Sequence, residues 1–220
     1  MKSSKAEIEA RVHRIPTLRF ETTQQLTSYA GLIVFQRLFQ VLRLKERLWR
    51  CFAHLARQKI FGRHTIFMVL VVHLLLGFRR LRGLDFYRHD PLVARAVGLK
   101  RLPDVATISR MLATADQMSF ERAREEMRRM VLERLGAEHF STITFDVDGS
   151  VQSTTGHAEG TAVGFNKVKK GARSYYPLFC TVAQTGQFFD LLHRCGNVHD
   201  SNGAQAFMLS CFRAAIAELP

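Results

Sequence analysis

Proline is scarce, at 5 of 220 residues, and no low-complexity tract interrupts the chain. Disorder is therefore not expected beyond the first ~20 residues, and residues 1–25 read as an N-terminal extension. The four cysteines, Cys51, Cys180, Cys195 and Cys211, show no C-x-x-C spacing. They read as scattered thiols of a reduced compartment, so the expected location is cytoplasmic. Cys195 lies near His193 and His199, but no second pair completes a zinc ligand set. Long apolar runs are missing as well. The longest, Ile66 to Phe78, has about 13 residues against the roughly 20 needed to span a bilayer, and Arg79-Arg80 follow it directly. It reads as a buried core helix, with His73 as a hydrogen-bonded core histidine. No signal peptide is recognisable.

Acidic residues are also under-represented, 19 against 32 Lys and Arg, for a net charge of +13. The excess is local: residues 1–140 carry 26 basic and 13 acidic side chains, and residues 141–220 carry 6 of each. A basic part joined to a neutral one suggests that the first part meets a polyanion, with nucleic acid the leading candidate. A merely solvated basic surface and an anionic membrane surface are the alternatives. The apolar content of 47% is ordinary, and the length suffices to bury a core.

What is present first is helical periodicity. Val34, Phe35, Leu38, Phe39 and Leu42 recur at helical spacing, with Gln36, Arg37, Gln40 and Arg43 facing away. A second helix carries the apolar run and is expected to end near Gly83. A third spans Pro91 to Val97 behind an Asp90 cap, and a fourth starts after Pro103 with Asp104 as N-cap. A fifth runs from Ser119 to about Leu135, with Gly136 as its expected stop.

From Ser141 the period changes to two. Ser141–Asp148 reads as a strand, Gly149–Ser174 as a basic loop, and Tyr175–Val182 as a second strand. A turn at Gln184–Gln187 and a third strand at Phe188–Arg194 complete a hairpin, and a helix follows from Gly203 to about Glu218. In the first strand Ile143, Phe145 and Val147 alternate with Thr144, Asp146 and Asp148, which puts both carboxylates on one face. Asp is depleted in strands, and like charges side by side repel. A divalent metal between them offsets that cost. Three strands and a helix, with Asp on the first strand, are how a ribonuclease-H-like fold begins. That fold hosts phosphoryl transfer by two ions roughly 4 Å apart.

The order of motifs resembles a DDE transposase of bacterial insertion sequences, of the insertion-sequence family 1380 type, over about Leu26 to Leu219. The matching residues are Leu26-Thr27-Ser28-Tyr29-Ala30-Gly31-Leu32, Leu75, Gly77, Asp85, Asp90-Pro91, Leu102-Pro103 and Thr107-Ile108-Ser109-Arg110. They continue through Phe145–Ser150, Gly164-Phe165-Asn166, Arg173–Leu178 and Gly196–Ala204. The resemblance implies DNA transposition by metal-dependent strand cleavage and transfer, with Mg2+ or Mn2+ as cofactor. It implies transposon terminal inverted repeats as partner, at the bacterial nucleoid and not at a membrane. Homo-oligomerisation stays open.

In such enzymes the first catalytic Asp is commonly followed two residues later by Thr or Ser. Asp148-Gly149-Ser150 fits, so Asp148 is the expected first acid and metal ligand, with Asp146 as alternative or supporting carboxylate. The family's second Asp and its Glu belong past the helix ending near Pro220. Asp190, Asp200 and Glu218 come too early for either role. The expectation is an N-terminal portion of a transposase, inactive alone, or a shortened non-catalytic regulator that binds DNA.

Two further sets of residues are candidate DNA contacts. Lys167, Lys169, Lys170 and Arg173, beside Tyr175 and Tyr176, form a basic and aromatic loop suited to phosphate, or simply a solvated one. Asp104–Thr114 behind Pro91–Val97 resembles a helix-turn-helix, with Thr107, Ser109 and Arg110 toward DNA and Lys100-Arg101 on phosphates; plain packing is the alternative. The expected fold class is α+β: an all-helical DNA-binding region over 26–140, then an incomplete ribonuclease-H-like domain over 141–220.

Overall fold

The computed structural model describes residues 26–154 and 156–219. The N-terminal extension expected over residues 1–25 lies outside them. Helices come first: α1 Leu32–Val41, α2 Leu44–Cys51, α3 Arg63–Leu75, a 3-10 turn Leu81–Phe86, α4 Pro91–Ala96, α5 Val105–Ala113 and α6 Gln117–Glu138. Strands follow: β1 Phe145–Gly149, β2 Gln152–Ser153, β3 Ala162–Val163, β4 Arg173–Tyr175, β5 Leu178–Val182 and β6 Gln187–Leu192, and then helix α7 Ala204–Glu218. The chain is α+β, and its strands form two antiparallel sheets ordered β1-β5-β6 and β2-β4-β3.

Several ends differ from the sequence expectation, each for a local reason. Helix α3 stops at Leu75 and does not run on to Gly83. Gly77 takes a left-handed φ of +86°, its N–H donates to Leu74 O, and the Phe78 N–H reaches back to His73 O. That pair of bonds is a Schellman stop, which a Cβ at Gly77 would strain. Helix α6 runs past Gly136 to Glu138 because Leu132 and Leu135 are anchored in the core. It ends at His139, which itself adopts φ +52°. The caps at Asp90 and Asp104 form as expected, accepting from Leu92 and Val93 and from Thr107, respectively.

Strand β1 begins at Phe145, four residues later than its apolar alternation suggests. The Thr144 N–H is taken by the Gln184 side chain at 3.1 Å, while its carbonyl accepts from the Ala183 N–H at 2.9 Å. The expected strand Tyr175–Val182 is broken at Pro177, which has no N–H to give a ladder. Arg173–Tyr175 pairs with β2 and β3, while Leu178–Val182 pairs with β1 and β6. The expected basic loop thus contains the second sheet.

Two apolar clusters organise the molecule. The first wraps α3, whose Ile66, Met68, Val69 and Val72 are buried against Leu84, Tyr87 and Val97. His73 is buried there and satisfied on both ring nitrogens, by Tyr87 Oη at 2.6 Å and Arg80 O at 3.0 Å. The second cluster sets the first sheet on α6 and α7, through Val131, Leu135, Cys180, Val182, Phe189 and Phe207.

Helix α6 belongs to the second cluster and is tied to α2 by ion pairs. Arg47 of α2 donates to Glu126 at 3.3 Å and to Glu133 at 2.6 Å. On the other side, Arg124 and Arg128 both pair with Asp190 of β6, which is fully buried. A register shift between Cys180 and Thr181 opposes two β6 residues to one on β5. This bulge turns Phe189 and Asp190 both inward, where alternation alone would send Asp190 outward.

Candidate functional site

Strand β1 alternates half-buried and exposed residues along Phe145–Gly149. Phe145 and Val147 pack on the second cluster, which leaves Asp146 and Asp148 exposed together on the opposite face. Their cross-strand neighbours on β5 are Thr181 and Phe179. Neither neighbour is a cation, and neither carboxylate takes part in an ion pair among the described residues. Asp148 accepts the Gly149 N–H at 2.8 Å. Two unneutralised carboxylates thus share one face of an outer strand.

A second carboxylate-bearing segment comes close beside them. The Tyr176 ring lies against Gly149, where a Cβ would stand only 2.5 Å from the phenol oxygen. The Tyr176 hydroxyl donates to Asp200 at 2.5 Å. That bond first, then burial, and then the charges of Asp200 and Asp148 push the phenol above its ordinary range. The loop bearing Asp200 is held by one buried guanidinium. Arg194 donates to Tyr176 O at 2.9 Å, and its Nη1 reaches His199 O at 3.2 Å, Asp200 O at 2.9 Å and Asn202 O at 2.8 Å. The same guanidinium stands 5.1 Å over the Tyr176 ring.

The basic loop crosses this one. A Cβ on Gly164 would fall 1.7 Å from Gly196 O, and one on Gly196 would fall 2.3 Å from Ser174 Oγ. Only glycine permits two backbones so close. Asn166 is buried; its amide donates to Ser153 Oγ at 2.9 Å and its oxygen accepts from the Val168 and Lys169 N–H groups. It thereby shapes the exposed turn that displays Lys167, Lys169 and Lys170. Arg173 does not join them, because its guanidinium is taken up by Thr161 Oγ1 at 3.0 Å and by Thr161 O. Ser150 accepts from the Gln152 side chain at 3.1 Å. Between these loops opens a cavity of about 530 Å³ lined by Gly149, Phe165, Lys167, Tyr176, His199 and Asp200.

The remaining sequence candidates lie in the helical part. Lys100, Arg101, Ser109 and Arg110 are exposed, and Thr107 is half-buried with its N–H on Asp104 at 2.6 Å. Arg101, Thr107 and Arg110 share one groove, whose lining does not include Lys100 or Ser109. The connection from α4 to α5 occupies residues 97–104, longer than the three or four residues of a helix-turn-helix turn. Cys195, His193 and His199 are not gathered: the His193 ring packs on Tyr175 at 4.5 Å and His199 Nδ1 meets Ser201 Oγ at 2.9 Å.

Sequence reasoning missed Arg194 and Asp190. A single Arg near a strand end gives no signal that it will gather four carbonyls, and a bulge is invisible to a period-2 pattern. Among the described residues no group of three or more His, Cys, Asp or Glu is placed to hold a metal. Asp146 and Asp148 fit a pair of oxygen ligands for a hard divalent ion but do not complete a two-ion site.

The fold and site together define an α+β protein whose first strand presents paired carboxylates beside a lysine-bearing loop. The chain belongs to the DDE transposases: residues 15–219 match the family described as transposase DDE domain, group 1. Nothing among curated proteins or solved structures matches it. Membership supports a role connected with transposition, and the family uses divalent metal ions and binds DNA. No helix of the described residues is long and apolar enough to cross a membrane.

Proposed function

We propose that the chain binds the terminal inverted repeats of an insertion sequence of the 1380 type and presents the first acid of a ribonuclease-H-like transposase site. The observation that carries this reading is the exposed Asp146–Asp148 pair on β1, bordered by the Tyr176–Asp200 contact and the lysine loop. Asp148 is the catalytic acid and Asp146 its supporting carboxylate, and Mg2+ or Mn2+ is the ion they hold. When bound, that ion supplies Lewis-acid polarisation of a phosphodiester. The chain's own residues do the rest of the work on the substrate. Lys167, Lys169 and Lys170 receive backbone phosphates, and Arg194 fixes the loop that walls the cavity.

Two carboxylates from one strand do not assemble a cleavage site, and no third ligand joins them among the described residues, so the expected behaviour is binding of DNA ends without cutting. A shortened, non-catalytic regulator has the same property. Footprinting on the element's own ends with Mg2+ tests the reading. Protection of the repeats without nicking is expected. Robust cleavage that Asp148→Asn abolishes would sink the claim of binding without cutting. Absence of any preference for the repeats at moderate salt would sink end recognition. Mn2+ binding followed by electron paramagnetic resonance gives a third readout, expected to be weak and to vanish in Asp146→Asn/Asp148→Asn.

A further inference from the structure

We propose that the groove between the Arg57–Phe61 segment and helix α5 is a seat for the sugar-phosphate backbone of duplex DNA, separate from the carboxylate face of β1. This inference rests on reading the chain as a DNA binder, and it assigns that role to residues of the helical part. The groove has a volume of about 760 Å³ and gathers Arg57, Lys59, Arg88, Arg101 and Arg110. All five are exposed. Of these, only Arg88 meets a carboxylate among the described residues, Asp85 at 3.4 Å.

One acid lies in the lining, Asp104, and it is already committed. Its carboxylate caps α5 by accepting the Thr107 N–H, and hydrogen bonding to Thr107 holds it below the usual carboxylate range, with Arg110 and Arg88 adding to the effect. Asp85 and Asp104 offset part of this charge, and the cations left without a carboxylate partner repel one another unless an external anion joins them. The first turn of α5 adds the positive end of its dipole on the same side.

Two of the cations are also pre-positioned. Arg101 stands 5.9 Å over the Phe61 ring, and Arg110 is tied to Ala106 O at 3.3 Å and Thr107 Oγ1 at 3.4 Å. Ile66, Leu102 and Met111, buried in the first cluster, make a rigid floor. Cations on both walls suit a continuous polyphosphate better than a single small anion. The one aromatic ring in the lining, Phe61, is half-buried with Arg101 over its face, so bases have no open platform for stacking and the contact is to phosphate.

Fluorescence anisotropy with a labelled duplex over a range of salt tests the assignment. For Arg57→Gln/Arg101→Gln/Arg110→Gln, affinity is expected to fall at least about 30-fold near 150 mM salt, with a shallower salt slope by about 2 to 3. A charge-matched control of exposed arginines outside the groove, Arg37→Gln/Arg95→Gln/Arg213→Gln, is expected to lose less than about 3-fold. Circular dichroism melting establishes that each variant is folded, and the single variants Arg57→Gln and Arg110→Gln, each lowering the slope by about 1, serve if the triple one is not. Equal losses in groove and control variants would overturn the groove, as would unchanged binding in the groove variant. If only Lys167→Gln/Lys169→Gln/Lys170→Gln weakens binding, the groove is wrong and the reading of the chain as a DNA binder stands. If the parent chain binds no duplex even at low salt, both fall. Capture by phosphatidylserine vesicles in preference to duplex would also reject the DNA assignment.

Discussion

Asp190 shows how much one side chain can hold. It has no solvent exposure, receives Arg124 at 2.5 and 2.9 Å, pairs with Arg128 as well, and accepts its neighbour Leu191's N–H at 2.7 Å. Asp190→Ala leaves two guanidinium groups against an empty pocket and is expected to cost about 3–5 kcal/mol, read from urea unfolding. A loss under about 1 kcal/mol would mean that water replaces the carboxylate. His73 supplies a pH-dependent counterpart. Its Nε2 faces the Arg80 carbonyl, which can only accept, so Nε2 carries the proton and Nδ1 accepts from Tyr87. Burial lowers its pKa, against the opposing bond to Arg80. The folded state therefore binds this proton less readily than the unfolded chain. Stability is full above the unfolded value near 6.5 and declines as pH falls through the lowered folded one. Urea midpoints measured from pH 8 to 5 should fall in the parent chain and fall less in His73→Asn. Asp146 and Asp148 were readable at this scale because alternation alone fixes their common face. Arg194 and Asp190 were not, because long-range carbonyls and a bulge fix theirs.

Among elements, the capped starts of α4 and α5 were legible, while α2 (Leu44–Cys51) and the short strands were not. Asp90 and Asp104 cap α4 and α5 as their spacing to the following helix requires. Strands β2, β3 and β4 are two to three residues each, too short to display a period, and only Pro177 hints at where one pairing ends and another begins. The motif Gly164-Phe165-Asn166 gains its meaning from contact with Gly196, some thirty residues on. Gly164→Ala is expected to separate the two loops. Hydrogen exchange should then accelerate across residues 162–175 and 194–203 while α3 and α5 stay protected. Protection unchanged in both loops would show that the crossing is dispensable.

For the molecule as a whole, one apolar cluster forms within the helices and another around the first sheet, and the cations are concentrated before β1. What charge could not reveal is that α6, a helix of the second cluster, is also tied to α2 by ion pairs. The outer position of β1 gives the whole-molecule prediction. Its far edge is unpaired among the described residues, beside the exposed Phe212 and Ile216 and the half-buried Ile143, and open edges recruit other strands. Asp146 and Asp148 oppose that recruitment by repulsion. Asp146→Asn/Asp148→Asn should therefore raise light scattering at micromolar concentration, and added salt should narrow the difference from the parent chain. Equal scattering at low salt would show that the edge is protected in some other way.

Helix α6 has one more consequence, concerning alignment. It turns Arg124 and Arg128 toward Asp190 and Glu126 and Glu133 toward Arg47. A slip of one residue would bring either Glu125 or Ala123 to the place of Arg124, and either Met127 or Glu125 to that of Glu126. In the first case an anion meets the buried Asp190, and in the second the guanidinium is simply gone. The helix thus encodes its own reading frame, and every misaligned packing of the helical part on the sheet forfeits a buried charge pair.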